Sequence, residues 1–165
     1  MTHPDYKIEI ADEQSQPIDS DPLIAVVQQI LNDHAISKSE ISIAIVDDPT
    51  IRQLNKQYLE HDYETDVISF VLDRDEEIGL LNGQLIVSTD TAARLAQEVG
   101  GTSQDELLLY VVHGTLHLVG YDDKTESDAL AMRAEEKKYL EGMGIPHRWS
   151  QGESQPDATV QREDS

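Results

Sequence analysis

The sequence predicts an α+β fold, a small mixed four-stranded sheet packed with helices. Three observations predict it. Strand-like and helix-like stretches follow one another in the order β-α-β-α-β-β-α-α-α. The length of 165 residues suits one domain with a core of its own. There is no cysteine, which removes both a disulfide framework and a thiolate metal site.

Each element has a local cause. Residues 6–11 (YKIEIA) alternate apolar and polar, as a half-buried strand does. DSDPLIAVVQQILNDH reads as a helix with Asp21 as N-cap and Pro22 in the first turn. Leu23, Ile24, Val27, Ile30 and Leu31 repeat at helical spacing and form its core face. EISIAIVDD is the next strand. DPTIRQLNKQYLE starts a second helix, with Asp48 as cap, Pro49 behind it, and Ile51, Leu54 and Tyr58 as its inner stripe. TDVISFVL is β-branched and apolar, a buried strand, and GQLIVS is a shorter one. TDTAARLAQEVGG is a helix closed by Gly100 and Gly101. TSQDELLLYVVHGTLHLVG opens with Ser103 and Glu106, a capping box. Leu107 to Val112 is apolar on all sides, which makes this the central helix, and Gly120 can end it. KTESDALAMRAEEKKYLEGMG is a last, exposed helix.

Residues 1–147 therefore read as one domain and 148–165 as a disordered acidic tail without apolar period. The N-terminus has no basic n-region or apolar h-region, so no signal peptide is visible. No apolar run approaches a membrane span. The lack of cysteine is compatible with a reducing cytoplasm. The net charge is −21, from 33 acidic and 12 basic residues. A nucleic-acid binder usually shows a basic footprint, and none is visible overall. The charge serves solubility and lowers the expectation of broad nucleic-acid affinity. It leaves room for a small site acting on a few nucleotides.

The stretch HGTLHLVGYDD, from His113 to Asp123, carries the chemistry. Two histidines at i and i+4 lie on one helix face, where both imidazoles can meet one cation. Spacing alone more often marks surface or core histidines. The continuation strengthens the metal reading. Gly120 and Asp123 stand where the glycine and third ligand of the metzincin pattern H-E-x-x-H-x-x-G-x-x-H would stand. The glycine allows a sharp turn, and a carboxylate is an acceptable zinc ligand. Gly114 occupies the place of the glutamate base of that pattern, so the motif argues for a zinc hydrolase other than a peptidase.

With these residues the chain resembles the YbeY family of bacterial endoribonucleases that mature ribosomal RNA. The family signature H-G-x-L-H-L-x-G-Y-D-H is matched through Asp122. The family's L-N-x-x-Y-R-x-x-D-x-x-T-D-V-L-S-F has its counterpart in LNKQYLEHDYETDVISF, and L-G-D-I-V-I-S in LNGQLIVS. The resemblance spans about residues 50–140. It implies a compact α+β fold with a zinc site on the central helix, and a cytoplasmic enzyme whose partners are ribosomal RNA precursors and the small ribosomal subunit. The chain departs at three motif positions: Asp123 for the third histidine, Leu59 for the arginine after the tyrosine, and Gln84 for the aspartate of G-D-I.

The expected metal ligands are His113, His117 and Asp123 for one Zn2+ per chain, with Asp122 as the rival third ligand. Asp66, Ser69 and Asp122 are the candidates for the catalytic proton transfer. As bland alternatives, Asp66 would cap a strand end and Phe70 would be plain core. Tyr121 shapes the turn. Arg52 and Lys56 share a helix face, as solvated pairs usually do, and could instead anchor a phosphate. His61 is a loop residue that could contact substrate. The reading that follows is a zinc-dependent, single-strand-specific endoribonuclease. Its rivals are a ribosome-associated factor with structural zinc and, ranked last because of Gly114, a hydrolase of another substrate class.

Overall fold

The structure is a computed structural model that describes residues 4–59 and 67–145. The strands β1 (Asp5–Asp12), β2 (Lys38–Val46), β3 (Val67–Asp75) and β4 (Leu80–Ser88) form one sheet in the order β1-β2-β4-β3. The first three in that order are parallel, and β3 joins the edge antiparallel. The helices are α1 (Asp21–Asp33), α2 (Asp48–Leu59), α3 (Thr89–Val99), α4 (Ser103–Leu118) and α5 (Glu126–Gly142). This is the α+β mixed sheet that the element order predicts.

Alternation along the strands separates two faces. The register row Ile10, Ile43, Leu85 and Ser69 lies on the face that α4 covers. The next row, Ala11, Ala44, Ile86 and Ile68, lies on the face toward α2. The α4 face carries the larger core: Leu23, Val27 and Ile30 of α1, Val111 and Leu116 of α4, and Met132 and Tyr139 of α5 are all buried in it. A smaller cluster of Ala44, Val46, Ile51, Ile68 and Ile86 lies under α2.

Two glycines let α4 approach the sheet. A Cβ on Gly114 would stand 2.8 Å from Leu85 Cδ2 and 3.1 Å from Val67 Cγ2. A Cβ on Gly83 would stand 3.0 Å from Leu118 Cδ1. Gly114 is thus the point where helix meets strand, and a glutamate side chain has no room there.

Several local expectations are corrected. The N-cap of α1 is Ser20, and Asp21 is already helical because Pro22 fits the first two helical positions. On its core face Val26 is fully buried, whereas Ile24 is only half-buried. The cap of α2 is Asp47, whose Oδ1 accepts from Thr50 N at 2.9 Å. Asp48 is drawn away by Ser88 and Thr91, whose hydroxyls donate to its Oδ1 at 2.6 and 2.7 Å. Tyr58, expected on the inner stripe of α2, has a side chain outside the described residues. Thr102, not Ser103, caps α4 through a 3.1 Å bond from Asp105 N, and Glu106 is buried. The helix α5 is not simply exposed. It packs on α4 and buries Ala129, Met132, Glu136, Tyr139 and Leu140. The tail from residue 148 and the residues Asp66 and His61 lie outside the described residues.

Candidate metal centre

The helix α4 is buried nearly all round because its residues from Leu107 to Val112 are apolar on every side. Its last two turns carry His113 and His117, whose ring centroids are 4.8 Å apart. The helix ends in a Schellman motif. Tyr121 N donates to Leu116 O at 3.0 Å, and Gly120 N donates to His117 O at 3.1 Å. Gly120 holds φ at +117°, where a side chain would be strained. That reversal brings Asp123 back over the helix end. Arg74, from β3, donates to Leu118 O and satisfies another terminal carbonyl.

His113, His117 and Asp123 meet as a result, with one ligand atom each within 4.8 Å of one another. Asp123 Oδ2 lies 3.6 Å from His113 Nε2 and 3.8 Å from His117 Nε2. Donor atoms around a tetrahedral zinc stand ~3.3 Å apart. The side chains are only 3%, 7% and 5% exposed in the order His113, His117 and Asp123. The nitrogen–nitrogen–oxygen donor set, close spacing and shielding fit a divalent ion.

The outer partners are as specific. His113 Nδ1 bonds Glu136, a carboxylate of α5 with no exposed surface. Sequence reasoning missed Glu136. The available signal was its place on the α5 stripe, four residues after Met132 and three before Tyr139, where an acid interrupts an apolar face. Asp122 Oδ1 accepts from Asp123 N at 2.7 Å and Lys124 N at 3.3 Å, so this carboxylate shapes the turn. The Tyr121 ring packs edge-on against His34 at 5.6 Å, which ties the turn to the end of α1. Burial raises the pKa of the Tyr121 hydroxyl, and the charge and hydrogen bond of Glu135 add to it.

The other expected residues are less closely grouped. Ser69 is fully buried at the β3 end of the α4-face row, and its Oγ has no hydrogen-bond partner among the described residues. Phe70 alternates to the opposite face and packs against the smaller cluster. Arg52 and Lys56 are exposed on α2, the helix across the sheet from α4. Gln84 also faces that side, beside Ser42 and Phe70 in the ladder. Leu59 closes α2.

The family model for endoribonuclease YbeY matches residues 8–144, from β1 to the end of α5. The chain belongs to the endoribonuclease YbeY family. Endoribonuclease YbeY of Syntrophotalea carbinolica is 44% identical over 129 residues, covering 75% of this chain and 86% of that one. The Salinibacter ruber YbeY is 37% identical over 135 residues, covering 78% and 86%. A solution structure from Thermotoga maritima superposes with a TM-score of 0.58 at 27% identity, covering 91% of this chain and 98% of that one. Against the YbeY signature, the departures at Asp123 and Gln84 fall on opposite sides of the sheet.

Proposed function

We propose that this protein is a zinc-dependent, single-strand-specific endoribonuclease that acts in late maturation and quality control of small-subunit ribosomal RNA in the bacterial cytoplasm. Its catalytic unit spans residues 1–147. The observation that carries the reading is the grouped donor set of His113, His117 and Asp123 in a YbeY-family chain. No helix among the described residues is long and apolar enough to cross a membrane, and the absence of cysteine excludes disulfide-linked partners.

His113 and His117 would hold one zinc from a single face of α4, and Asp123 would hold it from the turn. When bound, the ion supplies a Lewis acid for a phosphoryl oxygen and acidity for water. The chain's own work is to present three donors with little reorganisation. Gly114 seats the helix, Gly120 turns the chain, and Asp122 and Tyr121 hold the turn. Asp122, Asp66 and Ser69 are the proposed candidates for the proton transfer, and one Asp122 oxygen is engaged with the backbone. The charge of −21 opposes approach of a polyanion, so affinity rests on local contacts. Arg52, Lys56 and His61 are the proposed contacts, and reversing the charge of Arg52 and Lys56 together should weaken RNA binding.

The deciding experiment incubates zinc-loaded protein with single-stranded and duplex RNA beside a His117→Ala control. Cleavage of the single strand only, absent from the control, is expected. A second reading, a ribosome-associated zinc-holding factor with little nuclease activity, draws on Asp123 and Leu59, which make the site less positive than the family pattern. No cleavage above the control would favour it, and cleavage of peptides alone would point to another hydrolase. Asp123→Ala should lose zinc and Asp122→Ala should keep it. The reverse outcome would reassign the third ligand.

A further inference from the structure

We propose that Glu136 is the positioning residue of the metal centre, holding His113 in the tautomer whose Nε2 can bind a metal and supplying the second compensating negative charge. The inference rests on the metal reading above and concerns a residue that the motif does not contain.

Glu136 sits on the buried stripe of α5 with Ala129, Met132, Tyr139 and Leu140, and none of its surface is exposed. Burying a carboxylate there is unfavourable unless a donor meets it. His113 Nδ1 is such a donor. An ionised carboxylate only accepts, so the imidazole proton belongs on Nδ1 and the lone pair on Nε2. Nε2 is the nitrogen that faces Asp123 Oδ2 at 3.6 Å. The bond therefore points the Nε2 lone pair toward the donor group and fixes the ring plane, as outer carboxylates do for metal-binding histidines.

The charges agree. A divalent ion with two neutral imidazoles and the Asp123 carboxylate leaves one positive charge. Glu136 brings the sum to zero from the far side of the His113 ring, in a place closed to solvent counterions.

Glu136→Gln keeps the shape and removes both effects, because a carboxamide can offer either an oxygen or an N–H to Nδ1. Zinc affinity would be measured on the full chain by competition with a chromophoric chelator. Imidazole tautomers would be read by long-range proton–nitrogen NMR on the metal-free protein. Glu136→Gln is expected to weaken zinc binding ~10–100-fold and to mix the His113 tautomers. Glu136→Asp should recover part of the affinity. Tyr139→Phe, which removes the 2.8 Å bond to Asp33 from the same helix face, should lower Tm without changing zinc affinity. Wild-type affinity in Glu136→Gln would overturn the proposal while leaving the metal reading intact. A wild-type chain that binds no zinc would overturn both. If Glu136→Gln fails to fold, an Nε2–H tautomer at His113 in the wild type would overturn it alone.

Discussion

Leu85 and Ile86 are neighbours on β4, yet they belong to different environments. Leu85 points under α4 into the core shared by α1, α4 and α5, and it fills the space that Gly114 leaves. Ile86 points toward α2, into a small cluster beside a groove of about 490 Å³. Glu13, Thr50, Leu54, Phe70 and Gln84 line that groove, and Leu72 on its rim is 66% exposed. The α4 face carries the larger core and holds the donor group. The α2 face is partly open and polar at Ser42 and Gln84. A strand that alternates sides thus separates the donor side from the groove side, at one residue's distance. The family departures at Asp123 and Gln84 can accordingly be tested independently.

The largest expected contrast is between those two residues. Leu85→Ala should cost ~2–5 kcal/mol, toward the upper end because α4 cannot settle into the cavity without moving Gly114. Ile86→Ala should fall at the lower end, ~2 kcal/mol, since the adjoining groove lets water and side chains relax. Urea midpoints at constant m-value would measure both. Zinc affinity should fall for Leu85→Ala and hold for Ile86→Ala. Equal costs, or a loss of zinc in Ile86→Ala, would mean that the two faces share one packing unit.

The same division governs what was legible in the sequence. Elements built from periodicity were legible, because burial on one face writes a repeat into the chain. The metal group was legible because a helix turn and Gly120 connect its members locally. Caps were displaced by one residue at Ser20/Asp21, Asp47/Asp48 and Thr102/Ser103. In each pair both residues are good caps, and at Asp47/Asp48 tertiary partners decide. At Asp48 the partners are Ser88, Thr91 and Arg94, about 40 residues away in sequence. The partner of Glu136 was illegible for the same reason. Glu136 lies 23 residues from His113, and only the packing of α5 on α4 joins them.

Asp48 links the two faces, so its removal is the next effect in size. It starts α2 on one side and holds Ser88, Thr91 and Arg94 at the start of α3, which packs on α4. Burial alone would raise its pKa. Hydrogen bonds from Ser88, Arg94 and Thr91 and the charge of Arg94 outweigh that and hold it below the ordinary value. Asp48→Asn should therefore cost ~1–2 kcal/mol at neutral pH. The sign follows from the lowered folded-state pKa. The stabilisation is present above the unfolded value near ~3.9 and is lost as pH falls through the folded one. Wild type and variant should converge below about pH 4. A constant difference across the acid range would assign the cost to lost packing rather than to the ionised carboxylate.

The smallest effect is expected at Gln84→Asp, which restores the family residue on the open face. Gln84 is half-buried beside Ser42 and Phe70, and it shares the groove with Glu13. Among the described residues lining the groove, a carboxylate there meets no cation and stands near another acid. The change should lower stability by ~0.5 kcal/mol, reduced further by salt. The sheet and α4 lie between this position and the donor group, so zinc affinity should not move. A shift in zinc affinity as large as that of an outer-partner variant would show that charge on the far face reaches the metal centre through the sheet. The two departures would then have to be read as one compensated pair.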